Sequence, residues 1–309
     1  MRNILVTGGA GFIGSNLVLT LQERYADAWI TVLDDFRSGN FHNLRGFRGT
    51  VVAGDISRLD WNAQFRDTPF DAIFHLASIT DTTVHDQFAQ VHDNVEGFRR
   101  LLDYAAPNNV PVVYASSAAT YGMGGGLMRE DQTPAPANVY AFTKVQLDNL
   151  AREYGRRHSA WRIVGLRYFN VYGPREAHKQ AAASMIYQLY LQMKSGRRPR
   201  VFRAGEQKRD FVYVKDVVAM TLRALTAPAS RVYNCGSGQP FSFNETIEAL
   251  NQCLGTRLEP EYFENPYGVF YQNHTEADMT LAKLELRHEP KYPPAAGIAD
   301  YVAILEGKA

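Results

Sequence analysis

The chain contains little cysteine and no long apolar run. Only two of its 309 residues are cysteines, Cys235 and Cys253, and their spacing fits neither a disulfide scaffold nor a metal site. Such low cysteine usage is typical of the reducing cytoplasm, where we expect this protein. No apolar run reaches the roughly 20 residues that cross a bilayer, and the chain enters a predicted strand at once. We therefore expect neither a signal peptide nor a membrane partner.

The chain also lacks an excess of either charge. It has 33 basic and 32 acidic residues, which gives a formal net charge of +1. A nucleic-acid surface needs a basic excess or stripe to neutralise phosphates, so we expect no nucleic-acid partner. The hydrophobic content of 45% is that of an ordinary globular protein, and the length favours about two domains.

Short apolar runs alternate with longer stretches of helical periodicity. The runs that predict strands are 3–7, 30–33, 50–53, 71–76, 110–115, 162–168 and 232–234. Helical spacing predicts helices at 12–25, 88–105, 138–157 and 216–225. This alternation is typical of a doubly wound α/β fold with a parallel sheet. We predict a Rossmann domain from 1–174 that also receives about 210–239, and a smaller α/β lobe from 175–209 and 240–309.

The turn between the first strand and the first helix is rich in glycine. Gly8, Gly11 and Gly14 let the backbone turn tightly and approach a pyrophosphate, which the helix N-terminus also favours. Asp34 closes the second strand, at the separation from these glycines where a carboxylate can bind the adenosine ribose. The combination of strand, glycine turn, helix, strand and acid predicts a dinucleotide site.

The sequence leaves the choice between NAD and NADP open. Asp34 favours NAD because its charge would repel the 2′-phosphate of NADP. Arg37 favours NADP because a guanidinium can pair with that phosphate. Asp55, after the third strand, is equally well interpreted as an adenine contact or as a helix N-cap acid. We expect NAD.

A tyrosine and a lysine lie one helical turn apart, at positions 140 and 144. A free tyrosine has a pKa of about 10, and a nearby ammonium together with the nicotinamide charge would lower it toward neutrality. Ser117 ends the fifth strand, at the sheet edge where ligands bind. Tyr140 and Lys144 alone would be typical of a solvated helix face, but with Ser117 they predict an oxidoreduction site.

Together these motifs resemble the extended short-chain dehydrogenase/reductases that act on nucleotide sugars, and the resemblance covers the whole chain. Residues 167–175 (RYFNVYGPR) and 209–214 (RDFVYV) extend it. Residues 114–122 (YASSAATYG) and 175–179 (REAHK) are similar to the branch of the family that inverts carbon 6 of ADP-heptose. The resemblance implies an isomerase that oxidises its sugar to a ketone with tightly bound NAD(P) and returns hydride to the opposite face. It also implies a homodimer or higher homo-oligomer, paired through helices 88–105 and 138–157.

The resemblance assigns roles to individual residues. Ser117, Tyr140 and Lys144 would form the redox triad, and Lys179 would be a second acid/base group, with a plain surface or phosphate-binding lysine as the alternative. The implied cofactor-binding residues are Gly8, Gly11, Phe12, Ile13, Gly14, Asp34, Asp35, Arg37, Asp55, Ile56, Leu76, Ala77, Ser78, Thr80, Asn94, Tyr140, Lys144 and Val171. The implied substrate-binding residues are Ser117, Asn170, Ala181, Gln188, Phe202, Arg203, Gly205, Arg209 and Tyr271.

Two positions depart from the heptose branch. That branch leads us to expect a serine at Ala181 and a histidine at Gln188, so the sugar and the nucleotide stay open. A 4-epimerase of the same family is the main alternative, because it would share the redox residues without needing Lys179. A 4,6-dehydratase would need an acid pair where Ala118 and Ala119 stand. A net oxidoreductase and a non-catalytic NAD(H)-binding protein are the remaining alternatives.

Overall fold

Parallel strands and the helices between them occupy most of the part of the chain that the computed structural model describes, which is residues 1–66, 68–80, 86–266 and 272–308. The strands are β1 (Asn3–Thr7), β2 (Trp29–Asp34), β3 (Thr50–Ala53), β4 (Ala72–His75), β5 (Val112–Ser117), β6 (Leu127–Met128), β7 (Ile163–Tyr168), β8 (Asn170–Tyr172), β9 (Arg200–Phe202), β10 (Lys208–Tyr213), β11 (Val232–Cys235), β12 (Pro240–Ser242), β13 (Glu261–Phe263) and β14 (Glu276–Ala277). The helices are α1 (Phe12–Arg24), α2 (Trp61–Gln64), α3 (Gln87–Val91), α4 (Gly97–Ala105), α5 (Val139–Arg157), α6 (Met185–Lys194), α7 (Val214–Ala224), α8 (Phe243–Leu254), α9 (Thr280–Leu286) and α10 (Pro294–Leu305).

Seven of these strands form one parallel sheet in the order β11-β7-β5-β4-β1-β2-β3. The order reverses between β1 and β4, and a sheet wound in this way binds ligands at the carboxyl ends of its strands beside the reversal. The doubly wound fold predicted from the sequence is confirmed, and each of these strands lies within two residues of its predicted bounds.

The central sheet is covered on both faces because its strands are apolar on both. Ile4 and Val6 belong to one buried cluster, while Leu5 between them belongs to another. This alternation places one helical layer on each face, as continuous apolar strands require. The burial of both faces leaves only the strand ends open to ligands.

The helix predicted at 88–105 is interrupted by a π turn. It consists of α3, a π turn at His92–Glu96, and α4. The sequence pattern predicts Phe88 and Phe98 on one buried face, but Phe88 is 78% exposed whereas Phe98 is fully buried. The wider turn of a π-helix rotates the preceding residues relative to those that follow, so Phe88 no longer shares the face of Phe98.

Shorter elements pack outside the central sheet. Strand β10 pairs in parallel with β8 and antiparallel with β12, and β13 pairs with β9. Helix α8 begins at a capping box formed by Ser242 and Glu245, and it packs against α6 and α10. Strand β10 belongs to the outer elements, yet it runs directly into α7, which packs on the central sheet. The chain therefore passes between the two predicted domains without a linker, and their boundaries stay a prediction.

Candidate active site

The glycine turn lies between β1 and α1, at the reversal of the sheet order. Gly8 has a φ of +70°, and a Cβ there would lie 2.5 Å from the backbone nitrogen of Ala77. A Cβ on Gly14 would lie 2.0 Å from the carbonyl oxygen of Gly8, so neither position admits a side chain. No side chain caps the N-terminus of α1 at Gly11. The turn therefore presents backbone amides at a helix start, an arrangement suited to a pyrophosphate.

The carboxylate of Asp34 is held in place at the end of β2. It accepts hydrogen bonds from the backbone nitrogens of Ala10 and Phe36, both at 2.9 Å. Burial raises the pKa of Asp34, and these two hydrogen bonds oppose the rise. Because Ala10 lies within the glycine turn, the acid predicted to bind the ribose is attached to the turn predicted to bind the pyrophosphate.

Arg37 is surrounded by carboxylates. Its Nη1 lies 2.5 Å from Asp93 Oδ2 and its Nη2 lies 3.5 Å from Asp55 Oδ2, and it also pairs with Asp35. Burial would lower the pKa of Arg37, but the hydrogen bonds and charges of Asp93 and Asp35 keep it raised. A 2′-phosphate would have to displace them or lie among them, so the NADP role considered for Arg37 is disfavoured. The Asp93 contact was not predicted, because a distant acid on a helix gives no local signal.

Asp55 acts as a cap, but it caps a turn after β3 and not the N-terminus of a helix as the alternative interpretation had it. Its Oδ1 accepts hydrogen bonds from the backbone nitrogen of Ser57 at 2.8 Å and from the Ser57 hydroxyl at 2.7 Å. Its other oxygen faces Arg37 and Arg58. Asp55 thus fixes the turn after β3, and an adenine contact stays a prediction.

The segment after β4 is tied to α5 by Asn94, which lies in the π turn. The side-chain amide of Asn94 exchanges two hydrogen bonds with the backbone of Ile79 and donates a third to Thr143 Oγ1 at 3.1 Å. Among the described residues, the buried hydroxyls of Ser78 and Ser116 have no hydrogen-bond partner. These two polar groups lie just beyond β4 and near the end of β5, at the edge where a ligand would bind. Together with the glycine turn and Asp34, they make a site that fits a dinucleotide.

The three predicted redox residues lie close together at the same edge of the sheet. Asn138 caps α5 and so sets Tyr140 and Lys144 in its first turns. The Ser117 hydroxyl, at the end of β5, hydrogen-bonds to the Tyr140 phenol. The Lys144 Nζ donates to the carbonyl oxygen of Ala115 at 2.8 Å and lies 5.6 Å from the centre of the Tyr140 ring.

Burial controls the protonation of this group. It lowers the pKa of Lys144 to about 8, and Asp148 opposes that change. It raises the pKa of the Tyr140 phenol, against the hydrogen bond from Ser117. The sequence predicts a lowered phenol pKa, so this expectation is not met by the side chains of the site alone. Desolvation raises the pKa more than the Ser117 hydrogen bond lowers it, because the charged phenolate would be held away from water.

Asp148 is a buried acid that the sequence reasoning missed. It lies one turn beyond Lys144 on α5 and is 2% exposed. It accepts hydrogen bonds from the Tyr114 hydroxyl at 3.0 Å and from the Arg167 Nε and Nη2 at 3.2 and 3.1 Å. Its spacing of four residues from Lys144 was the available signal, since residues so spaced share a helix face.

Lys179 also lies against the glycine turn, although it comes from a distant part of the chain. It stands in the 3₁₀ segment Ala177–Ala182, with its Nζ 5.8 Å from the centre of the Phe12 ring. Burial lowers the pKa of Lys179, and the charge of Glu176 opposes the change. A second titratable group thus lies near the start of α1, and its role as an acid/base residue stays a prediction.

Most predicted substrate residues lie on the shorter elements. Asn170, at the start of β8, donates its side-chain amide to the carbonyl oxygen of Asp210 at 3.2 Å. Arg209 lies on the neighbouring β10, and Val171 pairs with β10 as well. Phe202, at the end of β9, packs edge-on against Phe263, with 4.9 Å between the centres of the two rings.

The other predicted substrate residues are placed less uniformly. Gln188 donates to the carbonyl oxygen of Gln180 at 2.6 Å, so its amide holds the loop that carries the exposed Ala181. Arg203 is exposed and pairs with Glu264 at 3.1 Å. Gly205 follows it, in a turn with a φ of +79°. Tyr271 lies outside the described residues.

A cavity of about 840 Å³ lies elsewhere, between α5, β11 and α9, and none of the predicted site residues lines it. Within the described ranges, no cluster of three or more His, Cys, Asp and Glu side chains could hold a metal ion. No helix in this part of the chain has both the length and the apolar character to cross a membrane.

Comparison with known proteins shows to which family the chain belongs. A model of the "NAD dependent epimerase/dehydratase family" matches residues 4–236. The ADP-L-glycero-D-manno-heptose-6-epimerase of Helicobacter pylori is 39% identical, with a TM-score of 0.91 over 99% of this chain and 96% of that one. The UDP-glucose 4-epimerase of Thermotoga maritima is 28% identical, with a TM-score of 0.90 over 99% of both chains.

A third structure contains the cofactor. The UDP-glucuronic acid 4-epimerase of Bacillus cereus, in complex with NAD, is 27% identical, with a TM-score of 0.85 over the whole of both chains. The glycine turn, Asp34 and the acids around Arg37 agree with NAD in this chain too. The chain belongs to the NAD dependent epimerase/dehydratase family, within the extended short-chain dehydrogenase/reductases, and is an NAD-dependent epimerase.

Proposed function

We propose that this epimerase acts on a nucleotide sugar and inverts carbon 6 of an ADP-heptose. The observation that carries the proposal is Lys179 at the glycine turn, because a second proton-transfer group is what inversion at an exocyclic carbon would use. Full-length similarity to the Helicobacter heptose epimerase supports it.

In this proposal Tyr140 is the general base. It removes the proton of the sugar hydroxyl, while the Ser117 hydroxyl holds that oxygen and the Lys144 ammonium favours the phenolate. When bound, NAD supplies a hydride acceptor that later acts as the donor. The ketone would then rotate within the site, so that the hydride returns to its opposite face while Lys179 donates a proton to its oxygen. Proton exchange with solvent would restore Tyr140 and Lys179 for the next cycle. A partly buried lysine with a lowered pKa is suited to that role.

The shorter elements would hold the rest of the substrate. Arg209 would bind the diphosphate, since an arginine fork matches phosphate geometry, and Asn170 would contact the sugar near the reacting carbon. Phe202, Arg203 and Gly205 would line the nucleotide. Ala181 and Gln188 would lie near the sugar.

The second candidate function is that of a UDP-sugar 4-epimerase. Similarity to the Thermotoga 4-epimerase over the whole chain favours it. A 4-epimerase would use Ser117, Tyr140 and Lys144 in the same way, but it would not need Lys179. The two candidates therefore differ in substrate and in the effect of changing one lysine.

The direct experiment is to incubate the purified protein with ADP-heptose, UDP-glucose and UDP-glucuronic acid in deuterated water, followed by NMR. We expect inversion of ADP-heptose at carbon 6 without added cofactor and without deuterium at that carbon, because the hydride is returned internally. Turnover of a UDP-sugar alone would establish the second candidate. Deuterium at the inverted carbon would show enolisation and contradict the redox mechanism.

The Lys179→Met variant tests the observation on which the proposal rests. We expect it to retain nucleotide-sugar binding and to lose epimerisation by about 10²- to 10⁴-fold, the usual contribution of a general acid or base. Lys283→Met, a change at an exposed lysine of α9, is the matched control and should keep full activity. A fully active Lys179→Met variant would remove this lysine from the mechanism.

We also propose that the enzyme is a homodimer paired through α3 and α5. These helices contact one another, and each exposes a phenylalanine, Phe88 at 78% and Phe142 at 43%. Light scattering should give twice the mass of the chain, and Phe88→Asp should shift it toward the monomer. A monomeric wild type at micromolar concentration would contradict the proposal.

A further inference from the structure

The loop that carries Lys179 is closed at both ends by one buried carboxylate. Glu176 is fully buried, and its Oε1 accepts hydrogen bonds from the backbone nitrogen of Gly173 at 3.1 Å and from the Ser184 hydroxyl at 2.9 Å. Its Oε2 accepts from the backbone nitrogen of Ser184 at 2.6 Å. Gly173 precedes the loop and Ser184 follows it, so this carboxylate joins the two ends.

The same residue sets the turn on which Lys179 stands. The backbone nitrogen of Lys179 donates to the carbonyl oxygen of Glu176 at 2.9 Å. Ser184, whose hydroxyl is fixed by Glu176, also caps α6 by accepting from the backbone nitrogen of Tyr187 at 3.2 Å. The loop is thereby attached to a regular helix through Glu176.

The negative charge of the Glu176 carboxylate also favours the protonated form of Lys179. Burial lowers the pKa of Lys179, and Glu176 is the charge that opposes this. Other titratable groups around the loop include Arg175, His178 with Asp34 and Lys179 acting on it, and Tyr301 of α10, which hydrogen-bonds to Glu176. Across the glycine turn, the ammonium lies 5.8 Å from the centre of the uncharged Phe12 ring.

We infer that Glu176 is the positioning residue of Lys179, because its buried carboxylate ties Gly173 to Ser184 and holds the lysine loop against the glycine turn. The inference rests on the proposed role of Lys179. Glu176 touches neither the substrate nor the cofactor in this scheme. It acts through Lys179, by fixing where the ammonium lies and by favouring its protonated form.

Glu176→Gln is the principal test, with Ser184→Ala as the matched control. The amide would turn one N–H toward the donors of Ser184, so the loop ends separate and kcat falls by about 100-fold, the loss that a small displacement can cause. Loss of the negative charge also makes the ammonium easier to deprotonate. The midpoint at which acetic anhydride acetylates Lys179, read by mass spectrometry, therefore moves to lower pH. Ser184→Ala keeps the charge, so we expect a smaller loss of kcat and an unmoved midpoint.

A double-mutant cycle separates positioning from a general structural role. In the Lys179→Met background, Glu176→Gln should cause no further loss of kcat, because there is no lysine left to position. An equal loss in both backgrounds, or an unmoved acetylation midpoint, would overturn the inference while Lys179 keeps its role. If Lys179→Met is fully active, the proposed function itself fails, and the two failures are distinct.

Should Glu176→Gln not fold, Glu176→Asp replaces it, since the shorter carboxylate cannot join both ends. Wild-type kcat in that variant would overturn the inference.

Discussion

The two proposed proton-transfer groups of this enzyme stand on very different kinds of backbone. Tyr140 lies in the first turn of α5, which has 19 residues and a side-chain cap, and which packs against β5 and β7. Lys179 lies in a short 3₁₀ segment that is kinked at Gln180, where φ is +50°, and that follows Arg175, where φ is +72°. The first group is held by regular secondary structure and the second by a few specific side chains.

This difference matches what the two groups would have to do. A general base that works together with Ser117 and Lys144 needs one fixed geometry, which a helix packed on a sheet supplies. A second acid/base residue must serve a ketone in another orientation, and a loop can present it from another side of the site. Side chains such as Glu176, Gln188 and Asn16 then hold that loop in place, since regular hydrogen bonding does not.

Among changes at Tyr140, Lys144 and Gln188, the largest effect is expected at Tyr140, on the helical side of this comparison. Tyr140→Phe removes the hydroxyl that takes the proton, so kcat should fall by about 10³-fold with the cofactor still bound. NMR turnover of the nucleotide sugar and absorbance of the retained dinucleotide measure the two effects. Tyr262→Phe, at a tyrosine 44% exposed, is the control. A loss of less than tenfold in Tyr140→Phe would show that the helix does not carry the principal base.

A change of intermediate size is expected from the pH dependence of Lys144. Burial lowers its pKa to about 8, so the ammonium loses its proton as the pH rises through that value, and kcat should fall above it. In Lys144→Arg the guanidinium stays charged, so kcat should be lower overall but the decline should begin at higher pH. Rate profiles between pH 6 and 10 measure this, with Lys283→Arg as the control. An unchanged basic limb in Lys144→Arg would assign that titration to another group.

The smallest effect is expected in the loop. Gln188→Leu removes the single hydrogen bond to Gln180, worth about 1 kcal/mol, so kcat should fall by about fivefold with little change in KM. The melting temperature should change little, because the loop adds little to the core. Gln64→Leu, at an exposed residue of α2, is the control. A loss as large as that of Lys179→Met would show that Gln188 itself contacts the substrate.

The contrast between regular secondary structure and a loop held by side chains also explains which features could be predicted from the sequence. Strands and the glycine turn were predictable because apolar runs, glycine spacing and the position of Asp34 are local signals. The meeting of Ser117 with Tyr140 followed from parallel topology, since strand ends lie at one edge of the sheet. The partners of Arg37 and the role of Glu176 could not be predicted, because they depend on residues that become neighbours only in the folded chain. The exposure of Phe88 was missed because spacing alone does not reveal a π turn.

The π turn at His92–Glu96 has a consequence for redesign. Removing one residue there would restore an ordinary α-helix, and an idealised backbone of that kind would be the easier one to stabilise. It would also swing the side chains on one side of the deletion by about 100° around the helix axis relative to the other side. The amide of Asn94 would then lose Ile79 or Thr143, and with them the tie between the chain after β4 and α5. In this enzyme the irregular turn of the helix belongs to the proposed cofactor site, so we expect a more regular helix to weaken dinucleotide binding.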